Sequence, residues 1–192
     1  MKPSSHIEIA IIFWGSYITF SGTTDVIEMI SFFFGATFID VDYIFTKWTI
    51  EKNHRNYLTH SILFWIILLI ISFIAQIDIL FWFFWGTILH LIFDTFDWGI
   101  PLIPWKKNES KTPHILHVPL NTNNSIYFDQ VYWNNNLMRI LEIFLGIMAF
   151  IIIIFQFNTH LILALPLFIA GLLISLSNYL RVKKYEKDLL VQ

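Results

Sequence analysis

The sequence predicts an all-α integral membrane protein, a bundle of about six transmembrane helices with both termini in the cytoplasm. Hydrophobic residues make up 56% of the 192 residues and charged residues only 14%, whereas soluble domains carry about 25% charged residues. Mean hydropathy is +0.63, and the apolar residues form segments of membrane-spanning length. All 12 lysines and arginines fall on one side of the alternating connections, which the positive-inside rule assigns to the cytoplasm.

Polar connections separate the apolar segments. Residues 21–25 form a short polar turn after the first segment, and residues 76–78 form a tight turn after the third. The first segment is also short enough to be a secretory signal peptide, but its single lysine and the lack of a small-residue cleavage pattern favour a retained span. The six predicted spans cover about residues 7–20, 26–46, 58–75, 79–98, 137–157 and 161–180.

We expect one membrane domain over residues 1–192. Along the chain we expect site-bearing helices at about 6–98, a polar and aromatic cytoplasmic loop at 99–136, two further spans at 137–180, and a charged tail at 181–192.

Near the start of the fifth span, Arg139 and Glu142 are three residues apart and predict an interfacial ion pair.

Histidine and aspartate recur in and beside the first four spans. An ionisable group at the bilayer centre costs roughly 2.5–3.5 kcal/mol on insertion scales, so repeated placement of such groups indicates a functional site. Both residue types bind divalent metals, and the sequence has no cysteine to supply a thiolate. The predicted topology brings these candidates to the cytoplasmic ends of spans one to four: His6, Asp40, Asp42, His54, His60, His90 and Asp94.

Spacing limits how these residues can act together. His90 and Asp94 are four apart and lie on one helix face, where they can bind one ion or form an ordinary buried hydrogen bond. Asp40 and Asp42 are two apart, so both can face one partner only if the helix unwinds there. The topology places His160 on the opposite side of the membrane and excludes it from the site.

The motifs in this region resemble the YdjM-like family, whose members are described as LexA-binding, inner-membrane-associated metal-dependent hydrolases. The resemblance covers about residues 6–105 and rests on G-A-x-F-I-D-V-D, then H-R-x-x-x-T-H-S, then H-x-x-x-D followed by G-I-P-L. The family pattern usually reads Pro-Asp-Ile-Asp-His, whereas this chain has Ile39 and Tyr43 at the first and last of those positions. The order of ligands is remotely similar to the zinc-dependent phospholipase C and P1 nuclease group.

The resemblance implies metal-assisted hydrolysis. We expect one or two divalent ions, zinc in preference, because histidine nitrogens and carboxylates suit that metal. Asp42 or His54 would act as the base or orient a ligand, and Arg55 would grip a phosphate oxygen. The expected metal ligands are His6, Asp40, His60, His90 and Asp94.

The location of the site suggests a membrane lipid with a phosphate group as the substrate. The basic residues are scattered, so no nucleic-acid partner is predicted, and the sequence identifies no protein partner. Two alternatives remain. One is a non-catalytic membrane scaffold with a structural metal, and the other is a metal or proton transporter, although the middle of each span is Ile, Leu and Phe.

Overall fold

The computed structural model describes residues 3–22, 25–41, 58–97, 100, 116, 125–156 and 161–190. Within these ranges every regular element is helical and there is no strand. The α-helices are α1 (Pro3–Ser21), α2 (Val26–Phe38), α3 (Ile62–Ile74), α4 (Asp78–Asp97), α5 (Ser125–Asn134), α6 (Asn136–Gln156) and α7 (Leu161–Leu190), and a 3-10 turn over Leu58–His60 precedes α3.

Three of these helices are long and apolar enough to cross a membrane. Their apolar windows are Asp78–Phe96, Asn136–Gln156 and Ala164–Asp188. Helix α3 is apolar but has 13 residues, about 20 Å of helix at 1.5 Å per residue. Many large apolar side chains on α3, α6 and α7 are exposed, as expected for surfaces that face lipid rather than water. The all-helical membrane fold is therefore confirmed.

Local sequence explains where two of the helices begin and end. Asp25 caps α2, because its carboxylate accepts hydrogen bonds from the backbone N–H groups of Ile27 (2.7 Å) and Glu28 (3.1 Å). Helix α3 ends in a left-handed residue, Gln76, with φ of 56°. The N–H of Ile77 then donates to the carbonyl of Ser72, which is the Schellman arrangement. The tight turn predicted at residues 76–78 is confirmed.

The described helices fall into two compact units. The first covers Ser16–His117, and the second combines Lys2–Gly15 with Val118–Gln192, so α1 contributes to both. The prediction of a single domain is not tested by this division, because a membrane protein can hold two compact units in one bundle.

In the first unit, α2 and α4 run parallel in close contact. Ser31, near the middle of α2, donates to the carbonyl of Ile79 (2.6 Å) in the first turn of α4. Further along, a Cβ atom built on Gly35 would lie 2.0 Å from the carbonyl oxygen of Phe83, and one built on Gly86 would lie 2.1 Å from that of Phe32. Small residues allow such approach between membrane helices. Helix α3 lies between α2 and α4 in the sequence and runs in the opposite direction. It therefore begins beside the C-terminal ends of α2 and α4.

In the second unit, α5, α6 and α7 pack with the first part of α1. Helix α5 lies within the segment predicted to be a loop, and α7 continues through most of the predicted charged tail. Arg181 pairs with Asp129 between α7 and α5. The predicted Arg139–Glu142 ion pair is wrong: Arg139 is exposed and bonds Asn136, whereas Glu142 is buried among hydroxyl groups.

Candidate metal centre

Four of the five predicted metal ligands lie together in the first unit. Each offers one nitrogen or oxygen atom, and these atoms all lie within 4.8 Å of one another. The four residues come from three places in the sequence: Asp40 follows α2, His60 ends the 3-10 turn, and His90 and Asp94 are on α4. We call these four residues the His/Asp cluster. The structure therefore brings these four predicted ligands together at one site.

The spacing within the His/Asp cluster suits a shared ion. Nε2 of His90 lies 3.5 Å from a carboxylate oxygen of Asp40 and 3.5 Å from one of Asp94. Nε2 of His60 lies 3.7 Å from the same Asp94 oxygen. Ligands about 2.0–2.1 Å from a tetrahedral zinc are about 3.4 Å apart. The donor set and its spacing therefore fit a divalent metal bound by two imidazoles and two carboxylates.

The imidazole of His90 is oriented by the backbone of α2. Its Nδ1 lies 2.8 Å from the carbonyl oxygen of Ala36. Because a carbonyl only accepts, Nδ1 carries a proton and donates it, and Nε2 is the nitrogen that faces the two carboxylates and is available to a metal. Metal-binding histidines are commonly fixed in this way through the nitrogen that does not bind the metal.

His60 is positioned by the turn that precedes α3. The N–H of Ser61 donates to the carbonyl of Leu58 (3.0 Å) and closes the turn. The indole N–H of Trp65 donates to the carbonyl of Thr59 (2.5 Å), so α3 holds the backbone next to His60. The side chain of Trp65 packs with Ile62 against a buried group formed by Ile39, Leu91 and Ile100.

This apolar packing lies directly beside the ligands in sequence. Ile39 precedes Asp40, and Leu91 follows His90. Packing between these side chains fixes the ends of α2 and α4 relative to α3, and hence the distances between the ligands. Sequence reasoning missed the roles of Trp65 and the Ala36 carbonyl. The Gly-Ala pair before Ile39 was the available signal, because small residues permit the helix contact that brings Ala36 to His90.

The His/Asp cluster is closed on most sides. The side chains of His60, His90 and Asp94 are 0% exposed, whereas that of Asp40 is 28% exposed. His90 and Asp94 face the same site, as their spacing of four predicted. Asp40 is thus the most exposed of the four side chains.

The other predicted site residues are not placed in the His/Asp cluster. Asp42, His54 and Arg55 lie outside the described residues. His6 is buried on α1 and belongs to the second unit, so its role as a fifth ligand stays a prediction. His160, which topology excluded from the site, also lies outside the described residues.

The fold and the site together define a helical membrane protein with a buried candidate centre for a divalent metal. The chain belongs to the YdjM inner membrane protein family, whose model matches residues 1–161. This range includes every predicted site residue. A search of curated proteins and a search of solved structures each found no match. The family resemblance is confirmed, and the remote similarity to the phospholipase C and P1 nuclease group stays a prediction.

Proposed function

We propose that this protein is a membrane-embedded metal-dependent hydrolase that acts on a phosphoester lipid at the cytoplasmic face. The observation that carries the proposal is the His/Asp cluster, in which two buried histidines and two carboxylates offer ligand atoms within 4.8 Å of one another. Burying these groups in an apolar protein costs free energy that a bound cation offsets. Partial exposure of Asp40 leaves a side from which substrate and water can enter.

The ligand chemistry favours zinc, as one ion or two. Imidazole nitrogen and carboxylate oxygen are ligands of zinc in catalytic sites, and His90 and Asp94 would hold the ion from one helix. A divalent metal supplies Lewis acidity, which lowers the pKa of water towards about 7 and polarises a phosphoryl oxygen. His6 is proposed as a further ligand from α1.

The residues proposed to act on the substrate lie in the sequence between α2 and α3. Asp42 or His54 would take the proton from the attacking water or orient a ligand. Arg55 would bind two phosphate oxygens at once, because its guanidinium group matches that geometry. Together they would position the phosphoester beside the cluster while the lipid tails remain in the membrane.

We propose six spans with both termini in the cytoplasm. All 12 basic residues then lie on the cytoplasmic side, as the positive-inside rule requires. The parallel course of α2 and α4 supports this proposal, because spans two and four must run in the same direction. The end of the first unit that carries the His/Asp cluster would then face the cytoplasm and the inner leaflet.

The activity test uses purified protein in vesicles that contain phosphatidic acid or phosphatidylglycerol, with release of phosphate or headgroup as the measurement. Arg55→Lys should keep its metal and lose about 10-fold or more in turnover, because lysine keeps the charge but loses one of two charge-assisted hydrogen bonds. Arg139→Lys is the matched control, since Arg139 is exposed and bonds Asn136; it should retain full turnover.

Three outcomes would count against the proposal in different ways. Unchanged turnover in Arg55→Lys would remove Arg55 as the phosphate ligand and leave the metal centre in place. A metal-loaded wild type that hydrolyses neither lipid would contradict hydrolysis of these phosphoesters and favour a structural metal. Metal uptake into sealed vesicles would identify a transporter instead.

A further inference from the structure

A second polar cluster lies in the second unit, around Glu142 on α6. One carboxylate oxygen of Glu142 accepts hydrogen bonds from the hydroxyls of Ser4 (2.6 Å) and Ser175 (3.0 Å). The other accepts from Ser5 (2.5 Å) and Tyr132 (2.6 Å). Glu142 is 7% exposed. Four hydroxyl groups from three helices other than its own therefore surround one buried carboxylate.

These four bonds saturate the negatively charged carboxylate of Glu142. A carboxylate has about four lone-pair sites that accept hydrogen bonds, and O–H donors occupy all of them. Glu142 lies six residues into α6, about 9 Å along the helix, within an apolar window. In the part of the chain that the structure describes, no lysine, arginine or histidine forms an ion pair with it.

A second buried carboxyl group, Glu8, adjoins this charge. Glu8 is 2% exposed and follows Ser4 and Ser5 by four and three residues, so the three side chains share a face of α1. Oε1 of Glu8 would lie only 3.4 Å from a Cβ atom on Gly146, one turn beyond Glu142. The glycine therefore leaves room for this carboxyl group. Oε2 of Glu8 is buried and has no hydrogen-bond partner among the described residues.

The ligand atoms gathered here are all oxygen. Hydroxyl groups that donate to Glu142 keep lone pairs with which they can bind a cation. Carboxylates and other oxygen ligands suit hard cations such as Ca²⁺, Mg²⁺ and Na⁺. Two buried carboxyl groups without a counter-charge are costly unless a cation or a proton neutralises them. The orphaned Oε2 atom of Glu8 marks where such a cation would be bound.

We propose that Glu8 and the hydroxyls of Ser4, Ser5, Ser175 and Tyr132 form a binding site for a hard cation beside the carboxylate of Glu142. This oxygen site is made of residues other than the His/Asp cluster and contains no nitrogen ligand. It does not rest on the proposed hydrolase function. By holding α1, α5, α6 and α7 to one ion, it would stabilise the second unit.

The test measures ion binding by the full chain in detergent. Wild type is titrated with CaCl₂, MgCl₂ and NaCl, each against N-methylglucamine chloride at equal ionic strength. We expect at least one ion to bind once per chain by calorimetry and to raise the unfolding temperature by about 5–10 °C at a hundredfold excess over Kd. Glu8→Gln keeps the size of the side chain but removes its charge, so it should lose this response.

Control variants separate this site from other carboxylates. Glu28→Gln on α2, in the first unit, should respond as wild type does. Asp94→Ala should also respond, because Asp94 belongs to the His/Asp cluster. Ser175→Ala removes one hydroxyl ligand with little change in size and should weaken binding about 10-fold. It provides a second measurement if Glu8→Gln fails to give monodisperse protein.

Three results would overturn the proposal. Wild type that responds to none of the three ions has no hard-cation site, and stabilisation by acid alone would show that a proton neutralises the pair. A response that survives in both Glu8→Gln and Ser175→Ala would place the ion elsewhere. A response lost in Asp94→Ala but kept in Glu8→Gln would assign it to the His/Asp cluster.

Discussion

His90 illustrates how a single side chain is prepared for metal binding. Its Nδ1 donates to the carbonyl of Ala36 at 2.8 Å, and its Nε2 lies 3.5 Å from carboxylate oxygens of both Asp40 and Asp94. A histidine that bonded a carboxylate only for structural reasons would need one such partner. Two carboxylates facing the same nitrogen, with a second imidazole nearby, are the arrangement expected of ligands around a cation.

At the scale of single residues, we predict that His90→Ala and Asp94→Ala abolish metal binding at the His/Asp cluster. Each removes one buried ligand from the group of four whose ligand atoms lie within 4.8 Å of one another. Zinc content per chain, measured by mass spectrometry on monodisperse protein, should fall to background in both variants. Metal removal from wild type with a chelator should lower its unfolding temperature.

His114→Ala and His160→Ala are the matched histidine controls. Both positions lie in predicted connections rather than spans, and we expect them to keep the metal content of wild type. If His90→Ala and Asp94→Ala destabilise the protein yet the folded fraction keeps its metal, the pair is a structural hydrogen bond and the ion is bound elsewhere.

The contact between α2 and α4 determines the geometry of the site at the scale of elements. Gly35 and Gly86 let the two backbones approach until an added Cβ atom would lie 2.0–2.1 Å from a carbonyl oxygen. Thr87 donates to the carbonyl of Gly35 (3.2 Å) across the same contact. On α4, His90 lies one turn after Gly86 and bonds the carbonyl of Ala36 on α2. This hydrogen bond between the two helices therefore depends on the close approach that the two glycines allow.

We predict that Gly86→Ala separates α2 from α4 and disrupts the His/Asp cluster. The new methyl group would meet the backbone oxygen of Phe32, and overpacking of this kind costs about 1–3 kcal/mol. Thermal unfolding should occur several degrees lower, and metal affinity should fall at least about 10-fold as the Ala36–His90 bond lengthens.

Gly171→Ala is the matched control for a glycine within a helix. Its added methyl group would lie 3.4 Å from the end of the flexible Ile7 side chain, so that side chain can move aside. We expect metal content equal to wild type. A Gly86→Ala variant with wild-type stability and affinity would show that the two helices can separate without harm to the site.

At the scale of the whole molecule, charge asymmetry and helix direction both support the proposed six-span topology. Three helices have windows long and apolar enough to span, and the six-span prediction adds the first three segments of the sequence. In the first unit, α2 and α4 run in the same direction. If both span the membrane, an odd number of spans must lie between them in the sequence, and α3 would be that span. Its helical core is short, so α3 would reach across with its flanking turns or with local thinning of the bilayer.

We predict that reporter fusions after residues 22, 77 and 159 all report the non-cytoplasmic side. Fusions after residue 50 and at the C-terminus should report the cytoplasm. Alkaline phosphatase and a fluorescent protein, which are active on opposite sides of the membrane, provide the paired measurement. A cytoplasmic signal at residue 77 would mean that α3 does not cross, and it would remove the cytoplasmic location proposed for the metal centre.

Sequence alone determined the class of this protein and most of its candidate site. Apolar composition and polar interruptions are local properties, so they predicted helical membrane segments, the turn at residues 76–78 and the pairing of His90 with Asp94. The six-span topology, which stays a prediction, placed Asp40 and His60 at the same end of the spans as His90 and Asp94. Their motifs also carried the family resemblance that the match over residues 1–161 confirms.

Only the tertiary structure decided which side chains and backbone groups of different helices contact one another. Three kinds of contact depend on how each helix is rotated and how closely the backbones approach. They are the bond from His90 to the carbonyl of Ala36, the bond from Trp65 to the carbonyl of Thr59, and the four hydroxyl bonds to Glu142. Hydrophobic periodicity does not determine these in a membrane helix, because lipid-facing and buried positions are both apolar. For the same reason Glu142 was predicted to pair with Arg139 nearby in sequence, whereas packing of α1, α5 and α7 gives it hydroxyl partners up to 138 residues away.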